Sequence, residues 1–151
     1  MENVLDCGFE QTQAKCFVVS NLTYVKVQNK WHYICVLIDL FNREIIGHSA
    51  GPNKDAALVS LAFAMVQGDL RQIQCFHTDR GSEFKNENAV PEATYKIMKT
   101  EFIHQMSFHS LHHLKLELYD YINWFNKHRL HGTLGYLTPI QFRQKVLKKV
   151  V

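Results

Sequence analysis

Apolar runs broken by short polar turns occupy residues 16–50, and apolar positions then regroup at three- and four-residue spacing. "CFVVSNLTYVKV" (16–27), "WHYICVLIDL" (31–40) and "REIIGHSA" (43–50) are rich in β-branched and aromatic residues, the usual make-up of strands. Only "QNK" and "FN" separate them, which leaves room for tight turns alone, so three antiparallel strands are predicted. "NKDAALVSLAFAMVQ" (53–67) changes period: Ala57, Leu58, Leu61, Ala62 and Met65 form one apolar helical stripe, with Asn53 as its cap. "IQCFH" (73–77) has the length of one buried strand. Returning after a helix, it is predicted to lie parallel within a mixed sheet.

The second half reads as helical. "PEATYKIMKTEF" (91–102) places Pro91 in a first turn, where its missing N–H does no harm. "SLHHLKLELYDYINWFNKH" (110–128) carries Leu111, Leu114, Leu118, Tyr121, Ile122 and Phe125 on one side. Gly132, Gly135 and Pro139 break the chain, and a short basic helix follows from about Pro139. Trp31, Tyr33, Trp124 and Phe125 are assigned to the core from their periodicity. The order βββαβ followed by helices predicts an α/β fold, a mixed sheet of three antiparallel strands and one parallel strand with flanking helices.

Composition narrows the class. With 151 residues and 46% hydrophobic content the chain can bury one core and is not a disordered segment. The net charge is only +3, but it is unevenly spread. From Tyr121 onward Lys127, Arg129, Arg143, Lys145, Lys148 and Lys149 face no acidic residue, while the remainder holds eleven basic and fourteen acidic side chains. A basic end on a slightly acidic body suits an anionic partner, and equally suits a solvated helix end. Cys7, Cys16, Cys35 and Cys75 show no zinc spacing, and Cys35 and Cys75 are read as small buried hydrophobes. His109, His112 and His113 lack the partners a zinc site needs. No apolar stretch approaches a membrane span, so no membrane partner and a cytoplasmic setting are expected.

The chemistry centres on carboxylates. Asp79 follows directly on the "IQCFH" strand, at the strand end where open α/β sheets expose their sites. Taken alone, "TDRGSE" also fits an ordinary Asx-type turn. Longer stretches are more specific. "LTYVKV…WHYICVLIDLFNREIIGHSA", "FHTDRGSEF", "NAVPEATYKIMKTEF" and "YDYINWFNKHRLHGTLGYLTP" together resemble the catalytic core of an insertion-sequence transposase of the IS3 type. That core is similar to the retroviral integrase core and has a ribonuclease-H-like fold. The resemblance covers roughly residues 16–142, with 1–15 as the remnant of an upstream linker and 143–151 as a basic C-terminal tail.

The resemblance implies a triad of two aspartates and a glutamate holding two Mg²⁺ or Mn²⁺ ions, which activate a nucleophile and stabilise charge at a phosphodiester. Its second aspartate falls on Asp79 and its glutamate on Glu92, with Lys99 seven residues on approaching DNA. Two departures stand out. The first aspartate position reads Asn21, an amide that cannot bridge two ions as a carboxylate does. Asp39, at the end of the second strand, is read as an ordinary family position and not as a replacement. Only 12 residues separate Asp79 from Glu92, roughly 23 fewer than the family pattern, which places a shortening near 85–88 and the loss of the fifth strand of the sheet. Glu83 and Glu101 are read as surface residues, Arg129 as a phosphate contact and His131 as structural.

The expected activity is therefore DNA transposition or integration by descent, with this copy catalytically impaired. The alternative is a noncatalytic nucleic-acid-binding or dimerising remnant. Expected partners are double-stranded DNA at insertion-sequence ends, and self-association or association with an intact transposase. Lys99, Arg129, Lys145, Lys148 and Lys149 are the candidate DNA contacts, and a nucleoid-associated bacterial setting follows if DNA is bound.

Overall fold

The β-branched and aromatic runs form strands and the regrouped segments form helices. The structure, a computed structural model, describes residues 17–68, 70–78 and 89–149, and leaves out the side chains of 77–78, 89–93 and 149. Strands β1 (Phe17–Val27), β2 (Lys30–Asp39) and β3 (Ile45–Gly51) are followed by helix α1 (Ala56–Ala64) and strand β4 (Cys75–Thr78). Helices α2 (Ala89–Glu101), α3 (Leu111–Lys127) and α4 (Pro139–Lys149) complete the chain.

Among the described residues the sheet has four strands in the order β3-β2-β1-β4. β1 pairs antiparallel with β2, β2 antiparallel with β3, and β1 parallel with β4. This is the predicted mixed sheet of a ribonuclease-H-like α/β fold, one strand short, with β4 left at an edge. β2 reads as a continuous apolar run because Ile34–Ile38 are fully buried with both faces covered. On one face Val19, Val25 and Val27 meet Ile34, Val36, Met98, Phe102, Leu114, Leu118 and Phe125 of β2, α2 and α3. On the other, Val18, Cys35 and Leu37 meet Leu58 and Ala62 of α1.

Several contacts fix these layers. A Cβ at Gly47 of β3 would lie 2.3 Å from the Ala62 carbonyl oxygen, so only glycine admits α1 at that distance. The cap of α1 is Asp55, whose carboxylate accepts from Leu58 N–H at 3.1 Å, and not the predicted Asn53. Asp55 stands immediately before the first helical residue, the position from which a side chain reaches the open N–H groups. Thr138 and Gln141 cap α4 reciprocally, at 3.1 and 3.0 Å, with Pro139 opening the helix. Cys75 is buried as predicted but is also disulfide-bonded, to a partner outside the described residues. Cys35 is a free thiol, pushed up to about 11 by burial.

Candidate nucleic-acid interface

The parallel register sets the geometry of the candidate site. Val19 lies opposite His77 and Ser20 opposite Thr78. Asn21 is the next residue along β1, as Asp79 is the next after Thr78. Asp79 itself lies outside the described residues, so its distance to Asn21 does too. Asn21 is 3% exposed and shares the α2–α3 face with Val19, as strand alternation requires. Thr23, two residues on along that face, is buried with no hydrogen-bond partner for its hydroxyl.

Asp39 is fully buried and lies directly opposite Val18. Paired residues of an antiparallel ladder share a face. Val18 packs against α1, so Asp39 belongs to the side of the sheet away from Asn21. One Asp39 oxygen also accepts from Phe41 N–H at 3.0 Å, where it holds the β2–β3 turn in which Arg43 takes a φ of 65°. Its placement suits the ordinary structural position assigned to it. Among the described residues no group of three His, Cys, Asp or Glu could hold a metal ion. The donors described therefore do not fit a two-ion site: Asn21 brings no charge, and Asp39 lies on the opposite face. Glu92 falls in the first turn of α2 with its side chain outside the description. Lys99, half-buried near the C-terminal end of that helix, sits with its ammonium 5.6 Å from the centre of the Tyr95 ring.

The basic C-terminal segment divides into two sets. Arg129 Nε lies 2.6 Å from Glu101, and its guanidinium covers the Phe125 ring. Glu101 is thus a partner of Arg129 and not an isolated surface charge. Arg143 lies 2.8 Å from Glu44, whose backbone N–H is held by Asn42, and Asn42 also donates to Pro139 O at 3.0 Å. These contacts tie α4 to the β2–β3 turn. Lys127, Lys145 and Lys148 are exposed, and Lys145 and Lys148 line one shallow groove with Leu137, Gln141 and Gln144.

His131 is structural, as expected: its N–H bonds Leu137 O at 3.1 Å and its ring meets Phe125 edge-on. Burial, then Arg129 and Arg43, hold its pKa down to about 4. His48 of β3 is likewise held down to about 4, by burial. It lies beside an exposed apolar surface that includes Leu61, Met65, Leu116 and Tyr119.

Two assignments to the core do not hold. Phe125 is fully buried, but Trp31 and Trp124 are exposed. Alternation tells which face of a sheet a residue occupies, not whether a helix reaches that far. α1 has nine residues, about 13 Å, while β1 has eleven, about 36 Å. On the α1 face the hairpin end of the sheet is left uncovered. Asn126 was missed altogether: its amide accepts from Ile45 N–H at 2.9 Å and donates to Ile45 O at 3.0 Å. The available signal was a polar residue one turn past Ile122, beside Phe125 on the apolar side of α3.

The sequence pattern of the Integrase core domain family matches residues 92–147, from Glu92 through most of α4. Transposase InsF for insertion sequence IS3A, from Escherichia coli (strain K12), is 27% identical over 172 residues, 97% of this chain and 60% of its own length. The transposase for insertion sequence element IS904, from Lactococcus lactis subsp. lactis (strain IL1403), is 25% identical over 168 residues, 94% of this chain and 66% of its own. The chain thus spans about 60% of the length of the curated relatives matched first. Since 97% of 151 residues is about 146, roughly 25 of the 172 positions aligned with InsF have no residue here. The HTLV-2 integrase catalytic core domain, solved in complex with magnesium (dimeric form), aligns over 88% of this chain and 83% of that one. At 16% identity and a TM-score of 0.35 it adds nothing to the topology. From Glu92 to Leu147 the chain matches the integrase core domains, and over nearly its whole length it is similar to the transposases of IS3-type insertion sequences.

Proposed function

We propose that this chain binds DNA as a core domain of a transposition machine and does not itself cut or join strands. Its family ties it to DNA transposition and integration. The observation that carries the noncatalytic half is Asn21, a buried neutral amide where the family resemblance places a metal-binding aspartate. A neutral ligand lowers affinity for a hard divalent ion and cannot bridge a pair of them. Asp39, on the opposite face, is no substitute. Asp79 and Glu92 remain as the other two triad positions. The shortened connection of 12 residues between them spans at most about 40 Å when extended, and the turn and the start of α2 consume part of that reach.

Duplex contact is assigned to the exposed lysines Lys145 and Lys148, with Lys149 and Lys99. Arg129 would meet a phosphate only while shared with Glu101. Each cation that neutralises a phosphate contributes about 0.9 to the salt slope, so three contacts weaken binding roughly 40-fold between 50 and 200 mM salt. Titrating a labelled insertion-end duplex across that range tests the reading. A joint Lys145→Gln, Lys148→Gln and Lys149→Gln variant is expected to flatten the slope. Salt-independent affinity, or an unchanged slope in the variant, overturns it.

A further inference from the structure

The end of the β1–β2 hairpin carries an aromatic and basic surface that the site above does not use. Tyr24 lies opposite Tyr33, and Lys26 opposite Trp31, so these four side chains share the α1 face of the sheet. Tyr33 is half-buried against the α1 cluster, but among the described residues no helix covers the other three: Tyr24 is 57% exposed and Trp31 is 54% exposed. Their rings meet edge-on, with centroids 5.3 Å apart, and the Lys26 ammonium lies 5.5 Å from the indole centre. The turn between the strands is tight, with Gln28 and Asn29 both at positive φ, as hairpins of this length favour. The aromatic pair is therefore held on a stiff support.

Cross-strand aromatic pairing explains why the hairpin is stable, but not why more than half of each ring stays in water. Charge identifies an occupant. Lys26 and Lys30 are exposed, and no Asp or Glu occurs from Phe17 to Ile38. Exposed aromatic rings beside the Lys26 ammonium, with Lys30 on the opposite face of the hairpin end and no acidic neighbour along the strand pair, match the chemistry of unpaired nucleic-acid strands. Bases stack on the rings while a phosphate meets the ammonium. A duplex offers this surface phosphates but no free base face.

We propose that the β1–β2 hairpin is a second nucleic-acid contact, which takes an unpaired segment of DNA by stacking a base on Trp31 or Tyr24 and pairing a phosphate with Lys26. The inference rests on the chain being a DNA-binding domain, and it assigns single-stranded DNA to a surface separate from the lysines of α4.

The test uses the full chain with labelled oligothymidylate and, in parallel, the insertion-end duplex. The chain has two tryptophans, so Trp124→Phe leaves Trp31 as the only indole, and its fluorescence is expected to be quenched as oligothymidylate binds. Trp31→Ala is expected to weaken oligothymidylate binding roughly 5- to 100-fold with duplex affinity unchanged. Trp31→Phe keeps a stacking ring and is expected to retain most of the affinity, which separates stacking from a folding defect. Neutralising Lys145 and Lys148 is expected to lower duplex affinity and leave the quenching intact. Absent quenching, or a Trp31→Ala effect below twofold with duplex binding retained, overturns the hairpin site and leaves the duplex reading standing. Failure to bind either form of DNA overturns both.

Discussion

Replacing Asn126 by alanine removes one side chain and strands two backbone groups. Ile45 opens β3, which lies at the edge of the sheet. Its N–H and C=O point outward, where the Asn126 amide meets them as a neighbouring strand's peptide would. Both residues are buried, so water does not readily replace the lost bonds. Leaving a buried donor or acceptor unpaired costs about 1–3 kcal/mol. Two such groups place the loss near 3–4 kcal/mol. For a chain of this size that corresponds to a fall in Tm of roughly 6–16 °C. Asn126→Asp keeps an acceptor for the Ile45 N–H but sets a carboxylate oxygen against its carbonyl, so it should not rescue. Guanidinium unfolding of the three proteins measures this, with the midpoint moving and the m-value constant. A loss below about 1 kcal/mol in Asn126→Ala, or wild-type stability in Asn126→Asp, refutes the edge-capping role.

His131 gives a pH signature. Its folded pKa near 4 lies below the ordinary 6.5, so the neutral form is favoured by folding. Its contribution is full above about pH 6.5 and is lost as pH falls toward 4, with about 2 kcal/mol gone by pH 5. His131→Gln should flatten the stability profile between pH 7 and 5 relative to wild type, as measured by unfolding at each pH; parallel profiles contradict it. We propose that any self-association runs through the apolar surface of Leu61, Met65, Leu116 and Tyr119 at α1 and α3. Sedimentation is expected to show a dimer that Leu116→Lys shifts to monomer, whereas a monomer at every concentration in the parent chain removes that assignment.

Element type and order were legible because they depend on local period. Runs of β-branched and aromatic residues marked β1 to β3, three- and four-residue spacing marked α1 and α3, and Pro91 marked the first turn of α2. Short connections fixed the antiparallel pairing and the crossover fixed the parallel one. The long-range pairs were not legible. Glu101 and Arg129 are 28 residues apart and Asn126 and Ile45 are 81 apart, so only the packing of α3 against α2 and β3 reveals them. That pairing is why a run of six basic residues overstated the free charge, since both of its arginines are tied down. Trp31 was misplaced because the length of α1 decides its exposure, and no feature of the hairpin's own sequence records that length. Asn21 was legible as a departure from the family pattern. Its burial between the covered faces of the sheet is what the structure adds.

We propose that the chain holds DNA without processing it. The most direct test is strand cleavage and joining of a labelled insertion-end duplex with Mg²⁺ or Mn²⁺, run on the unmodified chain and on Asn21→Asp. Bound but intact DNA is expected for the unmodified chain. Asn21→Asp should bind metal more tightly by calorimetry yet turn over little, because the connection between Asp79 and Glu92 stays short. Robust metal-dependent strand transfer by the unmodified chain would contradict the noncatalytic reading.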